Sequence, residues 1–277
     1  MNNQNINIME IRKRDTANTE IIDGADATAD SILSAKIQQL HTFFSLLIPD
    51  TTHEERQLLD EALMRTYERF GINDNNNSLI DPDNPERYKP MPILEDLHIT
   101  LAEMGGETRH MYTVLSRYVT GSAASFNGQT NVDLDNKYIV LDVSNLTKEM
   151  LAVGMFIVLD YVWDKAKQDR TAKKAIFLDE LWTLIGAKSS VEAAEFVLEI
   201  FKVIRAYGGS AIAATQDLND FFALDGGRFG KGIINNAKIK LIMQLEQQEA
   251  ENVKETLDIM APGGGYILDC SVSLEKA

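Results

Sequence analysis

Cysteine is almost absent from this sequence: Cys270 is the only one in 277 residues. That excludes an intrachain disulfide and any metal site built on thiolates. Histidine is nearly as scarce. His41, His53, His98 and His110 show none of the spacings of zinc ligands and read as structural or solvated side chains. Basic charge is in deficit, with 27 Lys and Arg against 42 Asp and Glu, for a formal net charge of -15. Broad, non-specific binding to nucleic acid needs Lys and Arg to displace counterions, so that class is disfavoured. A local basic patch, or a ring of subunits around a basic pore, stays open. Long apolar runs are also missing. The longest, Met150 to Trp163, is too short to span a bilayer and contains Asp160. The first eight residues have neither a positively charged start nor an apolar core, so no signal peptide is expected. The expectation is a cytoplasmic chain.

What is present is ordinary for a globular protein: 44% hydrophobic and 25% charged residues. The length suits one large domain or two small ones. Residues 1–30 form a polar lead-in, in which the alternation from Ile6 to Ile11 suggests a strand and Ile21 to Asp30 a loop. Residues 31–120 read as an all-α subdomain. Leu33, Ile37, Leu40, Phe44 and Leu47 recur at helical spacing over 32–48, and Pro49 ends that helix. Thr52-His53-Glu54-Glu55 is a capping box opening the next helix, which Gly71 closes. Residues 72–92, rich in Asn, Asp and Pro, read as a surface loop. Two further helices are expected over 93–104 and 108–119.

The texture changes after Gly121. Residues 121–277 read as an α/β core, incomplete as it stands here. Continuous apolar runs at 137–143, 175–178, 210–215 and 239–244 have the character of buried parallel strands. Helices over 147–165 and 190–207 separate the first three. Strand and helix in alternation predict a mainly parallel sheet with helices on both faces.

In such sheets ligands bind beyond the carboxyl ends of the strands. Asp142, the pair Asp179-Glu180, and Thr215-Gln216-Asp217 all fall there. An apolar strand that ends in two carboxylates is the Walker B pattern of P-loop ATPases. There the first carboxylate holds Mg²⁺, usually through water, and the second polarises the attacking water. A Gln at the end of the neighbouring strand donates to a γ-phosphate or orients that water. Arg205 is placed either to neutralise transition-state charge, at its own or a neighbour's nucleotide, or simply to favour a helix C-terminus. Arg228, Lys231, Lys238 and Lys240 are weaker candidates for the same task. The phosphate-cradling loop G-x-x-x-x-G-K-[ST] is missing from the sequence. Asp225 to Gly232 is glycine-rich and contains Gly-Lys. However, Asp225 stands where the first Gly is required and Gly232 where the Ser or Thr is required, so it reads as a loop. Pro262 to Gly265 is likewise a turn.

Taken in order, Ile176 to Trp182, Arg205 to Gly209, Ala214 to Asp217 and Ile234 to Lys238 resemble the ATPases of conjugative transfer and type IV secretion. These are motors of the VirB-four/TraC/TrsE type, in the HerA/FtsK branch of RecA-like P-loop ATPases. Lys36 to Phe44 resembles that family's all-α insertion. The similarity covers nearly the whole chain. It implies Asp179 as the Mg²⁺ ligand through water, Glu180 and Gln216 as catalytic groups, Gln216 also at the nucleotide, and Arg205 as a finger or phosphate contact. It implies ATP and Mg²⁺ in a full-length parent, a homo-oligomer that is a hexamer there, and other secretion components as partners. DNA or protein would be the transient substrate, and the inner face of the cell membrane the site of work. The family's Walker A loop would lie upstream of Met1, so no tight nucleotide binding is expected of this chain alone. The rival readings are a non-catalytic assembly module with the same fold, and a DNA-pumping ATPase of the FtsK/HerA kind. An in-frame Gly-Lys-[Ser/Thr] loop upstream of the start codon would separate the first from the motor reading.

Overall fold

The computed structural model describes residues 4–12, 31–132, 136–187, 189–215, 218–242 and 268–269. The expected loop at 21–30, Gln216 with Asp217, residues 243–244, the turn at 262–265 and Cys270 lie outside these residues. Two compact units divide the chain: residues 1–176 with 204–210, and residues 177–203 with 211–277.

In the first unit, α1 (Ile32–Leu47) starts at Ser31, whose hydroxyl accepts the Ser34 N–H at 3.3 Å. It buries the apolar face expected of it, with Phe43 added. Next comes α2 (His53–Arg69), with the capping box in place. Thr52 Oγ1 accepts the Glu55 N–H at 3.1 Å, and a Glu55 carboxylate oxygen accepts the Thr52 N–H at 2.9 Å. Thr52→Ala leaves a helix donor unpaired and is expected to lower the unit's stability by about 1 kcal/mol in urea titration. Residues 72–92 are not wholly a loop. The short antiparallel pair β1 (Ile80–Asp81) and β2 (Asn84–Tyr88) forms within them, over buried Ile72 and Leu79. Two helices follow, α3 (Leu94–Met104) and α4 (Arg109–Val119), then the long α5 (Lys148–Gln168).

Residues 4–12 do not form the expected strand. They are a buried strap, with Ile6, Ile8, Met9 and Ile11 in the core. Among the described residues no second strand pairs with it, and side chains satisfy part of its backbone. The Asn7 N–H goes to Thr130 Oγ1 at 2.9 Å, the Met9 N–H goes to Asn7 Oδ1 at 3.0 Å, and the Met9 carbonyl accepts the Tyr67 hydroxyl. At the strap's end Arg12 enters a buried ionic cluster. It lies 3.4 Å from Asp160 and 3.1 Å from Asp164, both on α5, and 3.3 Å from Glu10. Lys36 of α1 is 3.6 Å from Asp160, and Lys167 is 2.9 Å from Asp164. The Arg12 guanidinium also covers the Tyr161 ring, 4.4 Å from its centroid.

The run 137–143 does not become a strand either. Tyr138 is 84% exposed and Val140 69%. Apolar β-formers specify a strand only where a neighbour supplies the ladder, and none among the described residues pairs with this run.

The strands expected at 175–178 and 210–215 do form, as β3 (Lys174–Leu178) and β4 (Gly209–Ala213), which pair with each other. The Lys174 N–H donates to Gly208 at 3.4 Å, and the Ala214 N–H donates to Leu178 at 2.9 Å. Partners therefore advance together along both strands, which makes the pair parallel. Each strand begins in the first unit and ends in the second. The outward face of β3 carries Ala175 and Phe177, the latter 74% exposed.

In the second unit the single turn α6 (Trp182–Ile185) is followed by α7 (Val191–Val203). Ser190 Oγ accepts the Ala193 N–H at 3.1 Å at the start of α7. Then come the turn α8 (Leu218–Phe221) and α9 (Arg228–Asn236). The stretch 225–232, expected to be a loop throughout, becomes helical from Arg228. Gly226 and Gly227, with φ of 61° and 82°, turn the chain. Phe229 and Ile233 then bury one face of α9. At Gly232 a Cβ would lie 2.8 Å from a Leu198 methyl, so α9 and α7 approach closely there because a side chain is missing. Finally β5 (Leu241–Ile242), within the fourth expected strand at 239–244, pairs in parallel with β6 (Leu268–Asp269), while Ile239 and Lys240 are not in a strand.

Candidate functional site

β3 delivers the paired carboxylates. The ladder holds to its last residue, where the Leu178 carbonyl accepts the Ala214 N–H. Asp179 comes next and is exposed. Its Oδ1 accepts the Glu180 N–H at 3.0 Å, leaving Oδ2 for the solvent side. Glu180 is half-buried, with φ of 51°. That left-handed conformation costs a residue with a Cβ about 1–2 kcal/mol.

The following turn holds it. The Glu180 carbonyl accepts the Thr183 N–H at 3.0 Å, and Leu181, Leu184 and Ile185 are buried. The side chain is held too, by the Trp182 indole Nε1–H, which donates to Glu180 Oε2. Among the described residues the buried Thr183 hydroxyl has no hydrogen-bond partner. In the sequence the only hint of the indole contact is a donor-bearing aromatic two residues after the carboxylates.

Asp179 and Glu180 are thus side by side in the second unit. Arg205 belongs to the first, exposed in the 3₁₀ turn Ile204–Tyr207 that precedes β4. Gln216, expected just past β4, lies outside the described residues. Asp142 ends no strand. Its carboxylate accepts the Ser144 N–H at 2.9 Å, and bonds to the Ser144 side chain and backbone hold its pKa below the ordinary range. Of the other basic candidates, Arg228 pairs with Glu195 at 3.3 Å and Asp225 at 3.5 Å, while Lys240 donates to the Ala237 carbonyl at 2.9 Å.

Among the described residues no cluster of three or more His, Cys, Asp or Glu is arranged to hold a metal ion. One exposed carboxylate does fit Mg²⁺ carried by a nucleotide. That ion keeps several waters and takes one or two carboxylates plus phosphate oxygens. Among the described residues no helix is long and apolar enough to cross a membrane.

A parallel strand that ends in Asp-Glu, within alternating strands and helices, defines the class: an α/β domain of the RecA-like P-loop ATPases. Residues 92–272 match the model of the TraG P-loop domain. The structure superposes on that of VirB4 of Thermoanaerobacter pseudethanolicus with a TM-score of 0.77 and 25% identity. The match covers 92% of this chain and 65% of that one, so this chain spans just under two thirds of the VirB4 chain. No curated protein matches the sequence. The chain belongs to the TraG P-loop domain family, and its fold is that of the VirB4 structure on which it superposes.

Proposed function

We propose that this chain serves a motor that couples ATP hydrolysis to substrate transfer or pilus assembly in a conjugation or type IV secretion apparatus. The observation that carries the reading is the end of β3. There an exposed Asp179 is followed by a Glu180 kept in a costly backbone conformation with its carboxylate oriented. Strain of this kind persists where the surroundings over-determine it, and it clusters at working sites. In this reading Asp179 holds Mg²⁺ through water and Glu180 polarises the attacking water. Arg205 contacts phosphate in its own or a neighbouring subunit, and Gln216 reports on the γ-phosphate. Residues 31–120 are an insertion on the core formed by 121–277. The working assembly is a homo-oligomer at the inner face of the cell membrane, together with other secretion components.

The 277 residues contain no loop to grip phosphate, so the purified chain is expected to show no measurable ATP turnover by itself. The reading is tested in cells in which the chain's own transfer apparatus is at work. Glu180→Gln, at the native locus, should lower transfer frequency by at least about a hundredfold, the usual worth of a positioned acid–base group. Unchanged transfer would mean that the chain acts only in assembly.

A further inference from the structure

We infer that Trp182 is a positioning residue for Glu180: its indole N–H fixes carboxylate Oε2 and so sets how the carboxylate meets the attacking water. This rests on the proposed role of Glu180 in hydrolysis.

Three features of the second unit support it. The first is the donor itself. An indole N–H donates and cannot accept, so Trp182 cannot compete for the water proton. The second is the anchoring of that donor. Trp182 opens α6, its carbonyl accepts the Gly186 N–H at 2.6 Å, and Leu181 and Leu184 on either side of it are buried. The indole is therefore attached to a rigid turn. The third is the backbone of Glu180. Its φ of 51° and the Thr183 N–H on its carbonyl fix where the side chain leaves the chain. With the root and one oxygen both fixed, the carboxylate has little freedom, which is the arrangement that favours proton transfer from a positioned water. A tryptophan that only packed against the turn would fill space there without an N–H aimed at a carboxylate.

The test reads the hydrogen bond directly in this chain. Trp163 and Trp182 are the only tryptophans, so a ¹⁵N-labelled sample gives two indole N–H resonances, and Trp163→Phe assigns them. The Trp182 indole proton is expected downfield of a solvent-exposed indole. It should move upfield in Glu180→Ala and stay in place in Asp179→Ala, with the Trp163 resonance unchanged in both. A Trp182 resonance that does not respond to Glu180→Ala overturns the inference.

A second arm reads the consequence in the transfer assay. Trp182→Phe should lower transfer by roughly tenfold to a hundredfold, the effect of losing one charge-assisted hydrogen bond. Trp182→His, which restores a ring N–H, should recover part of it. Equal loss in both variants overturns the positioning role. The two proposals fail separately. If Glu180→Gln abolishes transfer while the indole resonance ignores Glu180→Ala, only the present inference falls. If the resonance responds but Glu180→Gln leaves transfer intact, the hydrolytic reading falls and takes the positioning role with it.

Discussion

Arg12→Ala is expected to lower the stability of the first unit by about 3–5 kcal/mol, the cost of removing one partner from a buried ion cluster. In the native cluster three cations, Arg12, Lys36 and Lys167, face three carboxylates, Glu10, Asp160 and Asp164. Arg12 is the member that touches all three carboxylates, and the Asp160 side chain is wholly buried. Without the guanidinium, Asp160 keeps the more distant Lys36, and the strap loses its ionic anchor to α5. Urea unfolding followed by circular dichroism gives the magnitude. Hydrogen exchange should show α5 amides losing protection first. Breaking the exposed Glu61–Arg65 pair on α2 by Glu61→Ala serves as the control and should cost well under about 1 kcal/mol.

The same cluster sets the response to acid. Burial pushes the Asp164 carboxyl up, but Lys167, Lys36 and Arg12 together outweigh it and hold the pKa at about 2. The unfolded chain titrates near the ordinary value of about 3.9. A depressed carboxyl contributes stability that is fully present above the unfolded pKa and is lost as pH falls toward the folded one. For Asp164 that amounts to something on the order of 2–3 kcal/mol, surrendered between roughly pH 4 and pH 2. Arg12→Ala removes one of the groups that depress Asp164, so its acid unfolding should begin at higher pH than in the native chain.

Gly208→Ala should be nearly as damaging, at about 3 kcal/mol. Gly208 has φ of 72°, and a Cβ there would lie 2.6 Å from the Arg170 carbonyl oxygen and 2.9 Å from that of Ala172. The conformation alone costs about 1–2 kcal/mol in any other residue. The clash is with backbone, which cannot rotate away, and overpacking of this sort adds about 1–3 kcal/mol. Because Gly208 leads directly into β4, a thermal melt should show a lowered Tm. Gly106→Ala is the natural comparison, since nothing lies within 4 Å of a Cβ there.

How much of this was legible in the sequence depended on distance along the chain. The capping box at Thr52, the apolar stripe of α1 and the strands β3 and β4 are set by residues a few positions apart, and they were readable. So was Asp179-Glu180, because a strand end needs only its own residues to be recognised. The strap was not. Arg12 meets carboxylates 148 and 152 positions away, and the alternation from Ile6 to Ile11 looks the same whether its backbone is satisfied by a strand or by Asn7 and Thr130. The run 137–143 failed for the converse reason: its composition is right for a strand, but pairing is a property of the neighbour. At the site, the φ of Glu180 and its bond from Trp182 depend on how the turn closes, which spacing alone does not reveal.

The outward face of β3 and the exposed side chains of Tyr138 and Val140 have a bearing on how the protein behaves in a tube. Each is a sticky apolar surface of a kind that invites association between molecules. The charge of -15 opposes this, since copies repel one another before such surfaces meet. That repulsion is long-ranged only in dilute electrolyte and shrinks to within about 3 Å at 1 M salt. The deficit of basic residues therefore acts as a dispersant, and ionic strength sets how well it works.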